Sequence, residues 1–241
     1  MGIGEGVGVS FTRRRMGGPS SPLVIFGQSS LIGWWDFSDA TKVTLDGSLN
    51  IQTILDSSGN GRTATQGTAL ARPGWAANGG GGNKAHGIWT TNKSLVTTAT
   101  FTLPQPVEVF AIARSTSTPA NTGYLLDFGI NANITFQQNA ASVLQQFDGS
   151  LGATQAITQN ADFLADSLFS GASSLLAING GTGSSANPGT AGSSTTPITL
   201  GNSALSSGWS GWIYGLVAIN RAATTPERAS MHTYAQSFGV P

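Results

Sequence analysis

The chain predicts an all-β fold, an antiparallel two-sheet sandwich with one C-terminal α-helix and an extended N-terminal arm. Three observations predict it. Short runs rich in Val, Ile, Phe, Trp and Thr recur between clusters of Gly, Asn, Ser and Pro over residues 31–220, the pattern of strands separated by turns. A single late segment, 224–239, has helical periodicity and both end signals. Residues 1–30 have neither pattern.

The globular part is predicted to begin at Leu31-Ile32-Gly33-Trp34-Trp35-Asp36-Phe37, an aromatic-rich strand stopped by the turn formers Ser38-Asp39. Further strands are predicted at Ser94–Thr98, Val107–Arg114, Tyr124–Phe128, Ile134–Gln138, Val143–Phe147, Asp162–Ser170, Ser173–Ile178, Pro197–Gly201 and Trp212–Asn220. In Val107–Arg114 both alternating sets are largely apolar, Val107, Val109, Ala111 and Ala113 against Glu108, Phe110, Ile112 and Arg114. That suits an inner strand covered on each side, or one whose outer face meets another chain. Asn179-Gly180 after Ala177-Ile178 predicts a type I′ turn, because both of its central residues need positive φ.

The helix starts at Thr224 or Thr225 as cap, with Pro226 in the first turn and Glu227 at the positive end of the dipole. Met231, Tyr234, Ala235 and Phe238 fall at i, i+3, i+4 and i+7 as one apolar stripe, and Gly239 is the stop. In the arm, Gly2, Gly4, Gly6 and Gly8 alternate with other residues before Arg13-Arg14-Arg15, Gly17, Gly18, Pro19 and Pro22. Too poor in apolar bulk for a core, it is expected to order on docking or oligomerisation. Asn78–Asn83, Thr182–Thr196 and Ser203–Ser210 read as loops at the sandwich rim.

Charged residues make up 9% of the 241, against about 25% in an ordinary soluble domain, so Gly, Ser, Thr, Asn and Gln must keep the surface wet. Eleven basic residues balance eleven acidic ones. No general field then draws in nucleic acid or an anionic membrane, and neither is expected as a partner. No apolar run approaches the roughly 20 residues of a membrane span, nor does the start carry the roughly 7–15-residue apolar stretch of a secretory signal. The expected route outward is release of an assembled particle. Cysteine is absent, so neither disulfides nor thiolates contribute, and a chain of this length can build its core without them.

Several motifs now stand in one order. Gly33-Trp34-Trp35-Asp36-Phe37-Ser38-Asp39 opens the domain; Asp56-Ser57-Ser58-Gly59-Asn60-Gly61-Arg62-Thr63-Ala64 and Arg72-Pro73 follow. Leu176-Ala177-Ile178-Asn179-Gly180, Ile198-Thr199-Leu200-Gly201-Asn202 and the stretch from Trp209 through Trp212, Arg221 and Ala222 to Glu227 close it. Together they resemble the concanavalin A-like, laminin G-like jelly-roll domain of bacteriophage and bacterial surface proteins, over about residues 31–240. The resemblance implies a jelly-roll sandwich. It also implies calcium as the one ion to look for, with Asp36, Asp39, Asp56 and Asn60 as hard oxygen donors; as turn formers the same residues need no ion, and both readings stay open. Trp34, Trp35, Trp209 and Trp212 read as core, whereas an exposed Trp75 or Trp89 beside polar loops would supply a stacking platform for a glycan.

Glycoside hydrolysis needs two carboxylates about 5–9.5 Å apart. Glu5, Glu108 and Glu227 lie in the arm, a strand and a helix start, and Asp162 and Asp166, read as solvated edge residues, are about 13 Å apart along one strand. His86 and His232, the only histidines, leave a zinc site short of ligands. No Gly-x-Ser-x-Gly elbow or phosphate-binding loop is present. The expectation is a protein that is not an enzyme, with no catalytic residue and no required cofactor. Its expected function is a bacteriophage virion structural protein, a capsid decoration, head-fibre or tail-associated subunit. It would dock on other virion proteins through residues 1–30, assemble as a homo-oligomer with a trimer favoured, and expose the jelly-roll domain, 31–241, on the virion surface. The alternative is a carbohydrate-binding adhesin module that recognises host-surface glycans.

Overall fold

The computed structural model describes residues 20–101, 103–117, 123–129, 135–139, 142–191, 196–202 and 208–241. Residues 1–19 of the expected arm, with Arg13-Arg14-Arg15, lie outside the described residues, as do 192–195 and 203–207 of the two late loops. In chain order the elements are a short helix α1 (Pro22–Phe26), then β1 (Leu31–Asp36), β2 (Val43–Leu45), β3 (Ile51–Ile54), β4 (Ala64–Thr65), β5 (Gly74–Ala76), β6 (His86–Trp89), β7 (Leu95–Phe101) and β8 (Val107–Ser115). They continue with β9 (Gly123–Asp127), β10 (Thr135–Asn139), β11 (Val143–Phe147), β12 (Leu151–Ala156), β13 (Asp162–Phe169), β14 (Leu175–Ile178), β15 (Thr196–Leu200), β16 (Gly211–Ile219) and α2 (Thr225–Gln236).

These strands form two antiparallel sheets. One has seven strands in the order β14-β13-β8-β16-β6-β5, with β1 also paired to β16; the other has nine, in the order β12-β11-β10-β9-β15-β7-β4-β3-β2. Trp35 stands opposite Leu216 and Asp36 opposite Gly215, so the first and last strands are neighbours and the domain closes on itself.

The core between the sheets holds Trp35, Phe37, Trp89, Phe136, Phe169 and Trp209, none more than 1% exposed. At ~25 cal/mol/Å², burying an indole contributes several kcal/mol. The Leu200-Gly201-Asn202 motif has a packing cause: φ at Gly201 is +73°, and a Cβ there would stand 1.8 Å from Trp89 Nε1. Only glycine lets the turn and the indole share that space.

A second apolar layer covers the outer face of the seven-stranded sheet. Phe26 of α1 stacks on Phe110 at 5.2 Å between ring centroids, and Met231, Ala235 and Phe238 pack with Ile112, Leu164 and Val217. The two apolar faces of β8 are therefore explained inside this chain: one meets the core and the other meets α1 and α2. Residues 22–30, assigned to the arm on sequence, pack on the sandwich. Among the described residues no helix is long and apolar enough to cross a membrane.

The start of α2 is fastened by a capping box. The Thr224 N–H donates to Glu227 Oε2 at 2.7 Å, and Glu227 N–H donates back to Thr224 Oγ1 at 3.4 Å. Arg221 grips the same carboxylate at 2.6 and 2.9 Å; that pairing holds Glu227 down at about 2. Thr224→Ala is expected to lower stability by about 1 kcal/mol in urea titration at neutral pH, the usual cost of a lost N-cap.

Candidate functional site

The Asp56–Arg62 loop staples β1. Asp56 Oδ1 accepts the N–H of Trp34 at 3.1 Å and of Ser58 at 2.9 Å, and Oδ2 accepts the Arg62 N–H at 3.0 Å. Asn60 Nδ2 donates to the Leu31 carbonyl at 2.7 Å, the Arg62 guanidinium donates to the Ile32 carbonyl, and Trp35 Nε1 donates to the Arg62 carbonyl at 2.8 Å. Asp36 Oδ1 takes the Ser38 N–H and hydroxyl at 3.0 and 2.6 Å, and Asp39 caps a short turn by accepting from Thr41 N–H at 2.9 Å. Among the described residues no three of His, Asp or Glu converge on one ion position. Asp36, Asp39 and Asp56 each accept from their own turn, and Asn60 shares the Asp56 loop and donates to the Leu31 carbonyl.

The two tryptophans proposed for stacking also part company. Trp89 is 1% exposed, edge-on to Phe37 at 5.0 Å, and no sugar can reach its ring. This corrects its assignment to a glycan platform. Trp75 is half-buried on β5 at the edge of its sheet, and its Nε1 donates to the Phe37 carbonyl at 3.0 Å.

Polar side chains that the sequence did not single out lie on the outer face of the nine-stranded sheet, several of them buried. Phe136 and Leu144 point into the core, and Gln146 reaches across it to Ser167 Oγ at 3.0 Å and the Leu168 carbonyl at 2.8 Å. Alternation then turns Thr135, Gln137 and Gln145 the other way. Register aligns them in rows. Tyr124, Gln137, Gln145 and Thr154 are successive partners across β9, β10, β11 and β12. The next row crosses all nine strands, from Thr44 through Thr53, Thr65, Val96, Thr199, Asp127 and Thr135 to Phe147 and Leu151.

Gln137, Gln145 and Thr135 are each 6% exposed, and the Thr135 hydroxyl has no hydrogen-bond partner. Asn139 Nδ2 donates to Gln145 Oε1 at 3.2 Å, which fixes that amide. The amides are buried between the ends of the row, where the exposed Thr154 offers a hydroxyl, the kind of donor and acceptor that a sugar hydroxyl requires. Tyr124 and Phe147 add a half-buried ring to each row, a surface for the C–H faces of a sugar.

The acidic residues on the opposite sheet also fall out differently from their sequence reading. Asp162 and Asp166 are each 7% exposed and are not solvated edge residues. Asp162 takes Arg114 at 2.7 and 2.5 Å and the Tyr214 hydroxyl at 2.7 Å. On paired strands β8 and β13, Leu168 faces Glu108 and Asp166 faces Phe110, so Glu108 and Asp166 are diagonal neighbours. Arg228 of α2 bridges them, with Nε 2.8 Å from Glu108 Oε1 and 3.0 Å from Asp166 Oδ2. Burial, then the adjacent Glu108 carboxylate, pushes the Asp166 carboxyl well above the usual range.

No family model matches the chain, and no curated protein sequence matches it. Solved structures do share its fold. A GH54 α-L-arabinofuranosidase aligns with a TM-score of 0.62 at 16% identity, 90% of this chain covering 65% of that one. Domain 4 of AbnA, a GH43 extracellular arabinanase from Geobacillus stearothermophilus, in complex with arabinotriose, aligns with a TM-score of 0.59 at 12% identity, 85% of this chain covering 98% of that one. Trypanosoma rangeli sialidase in complex with the inhibitor DANA aligns with a TM-score of 0.54 at 10% identity.

The shared fold is a β-sandwich. The chain covers 86% of itself in the sialidase match but only 32% of the sialidase's length. At these identities the likeness is one of fold. It nevertheless corrects the expectation that the protein is not an enzyme, because the neighbours are sialidase, arabinofuranosidase and arabinanase structures. Sheet pairing also places Glu108 beside Asp166, 58 positions further along the chain.

Proposed function

We propose that this protein is a carbohydrate-binding β-sandwich of the concanavalin A-like, laminin G-like jelly-roll kind, which takes a glycan on the outer face of its nine-stranded sheet. The observation that carries the reading is the row Tyr124, Gln137, Gln145 and Thr154, a neutral line across four adjacent strands whose half-buried ring and exposed hydroxyl at the ends meet the sugar, with the two buried amides between them. Support comes from the arabinotriose-complexed domain, nearly all of whose length is matched by this chain. Neutral groups preset on a sheet suit an uncharged oligosaccharide, which they can meet without burying a charge.

Arabino-oligosaccharides and a wider glycan array are the probes. A ligand retained by the wild type is expected to bind about tenfold or more weakly to the Tyr124→Ala, Thr154→Ala double variant, with the fold retained, since the ring and a neutral hydrogen bond are worth about 1–3 kcal/mol together. Retention of no glycan, or equal binding by the double variant, would refute the reading.

The low-charge surface, with charged residues at 9% of the chain, and the resemblance to phage surface domains support placing this module on a bacteriophage virion, where it would meet host-surface glycans. Antibody labelling of intact particles tests that placement, and a chain found only outside particles would end it.

A further inference from the structure

We propose that the buried carboxyls Glu108 and Asp166, with Arg228 laid across them, form a pH-sensitive latch that holds α2 on the seven-stranded sheet and loosens it as pH rises. The latch is on the side of the sandwich opposite the proposed glycan face and does not rest on that reading. Its two carboxyls come from the paired strands β8 and β13, and its one cation comes from the helix.

Glu108 is fully buried and Asp166 is 7% exposed. Glu108 accepts from Arg228 Nε and Nη2 at 2.8 and 2.9 Å, and from the Ala223 N–H just ahead of the helix at 2.6 Å. Asp166 Oδ2 lies 3.0 Å from the same Nε, and Asp166 also hydrogen-bonds Glu108, a contact that two carboxyls make only through a shared proton. The neighbouring charges are paired elsewhere: Arg221 with Glu227 at the start of α2, and Arg114 with Asp162 further along the two strands. His232 of α2 has Nε2 2.8 Å from the Pro241 carbonyl. The other elements around the latch, α1, β14 and β16, carry no charged residue.

With the helix seated, the pair holds its proton tightly, because two buried carboxylates on one guanidinium would leave a charge uncompensated away from water. With the helix lifted, both carboxyls are hydrated, and Asp166 loses the proton near its ordinary value of 3.8. The seated state is therefore favoured in full at and below that value and loses this advantage as pH rises through the higher, seated one. More than the helix depends on it. Met231, Ala235 and Phe238 of α2 cover Ile112, Leu164 and Val217, and α1 packs beside them with Phe26 on Phe110.

The test is backbone amide hydrogen exchange of the full chain from pH 5 to 9, with rates corrected for the intrinsic pH dependence of exchange. Protection of Met231, Tyr234 and Ala235 is expected to fall about tenfold or more across the range relative to Ala111 and Leu216 in the central strands, tenfold for each pH unit by which the seated helix tightens the proton. Asp166→Asn keeps the shape and a donor without a titrating proton, and should make protection of α2 independent of pH. Glu108→Gln, which leaves one carboxylate to one guanidinium, should do the same, and decides the matter if the asparagine variant fails to fold. A wild-type profile without the fall, an equal fall in α2 and the central strands, or an undiminished fall in the folded variant would overturn the proposal.

Discussion

Arg228→Met is expected to destabilise the protein by about 3–5 kcal/mol at pH 7, and by much less near pH 4. The guanidinium is the cation held by two carboxylates of which one is fully buried and the other 7% exposed. Removing it leaves like charges side by side out of water, and breaking a buried ionic network by deleting one partner costs about that much. The pH dependence follows from the direction in which Asp166 is already shifted. Burial and Glu108 raise its carboxyl above the ordinary value of 3.8, and loss of Arg228 raises it further. A carboxyl with a raised folded-state pKa keeps its proton in the folded chain after the unfolded chain has lost its own. The added penalty is therefore absent at or below the ordinary value and grows as pH rises through the folded one. Urea titrations of both proteins from pH 4 to 8, read by tryptophan fluorescence, check this; a difference that stays constant across the range would show that Arg228 contributes packing alone.

Trp89→Ala is the second large effect, a loss of about 3–5 kcal/mol. The ring is 1% exposed, meets Phe37 edge-on at 5.0 Å, and stands where a Cβ on Gly201 would come within 1.8 Å. Its deletion leaves a cavity that the surrounding sheets, hydrogen-bonded from both sides, can close only in part. Chemical denaturation measures the loss. A glycan-binding defect without loss of stability would show instead that the ring reaches the ligand.

Much of the framework was legible because it is written in neighbouring residues. The type I′ turn at Asn179-Gly180, with φ of 54° and 68°, could be read from two residues. The box at Thr224 and Glu227 could be read from four. Strands β1, β8, β13 and β16 stood out because each carries a run of β-branched and aromatic residues long enough to show its period. Strands β4, β5 and β12 did not. Ala64–Thr65 and Gly74–Ala76 are two and three residues long, and Leu151–Ala156 is an edge strand of small and polar residues; pairing with a neighbour makes them strands, not their own propensity.

The candidate glycan face was missed for a related reason. Gln137 and Gln145 look alike in sequence to Gln138 and Gln146, yet the first two face outward and the second two turn inward toward Ser115 and Ser167. Only register decides which, since one step along a strand exchanges its faces.

By itself the sequence determined the all-β class, the turns, the capped C-terminal helix and the aromatic stock of the core, because these depend on φ preferences, side-chain branching and periodicity over a few residues. Tertiary structure alone decided that Trp89 is buried, that the Asp56–Asn60 loop is stapled to β1, and that Glu108 lies beside Asp166 under Arg228. Those outcomes depend on which strands pair and in which register, a choice made by burying the whole set of apolar faces at once.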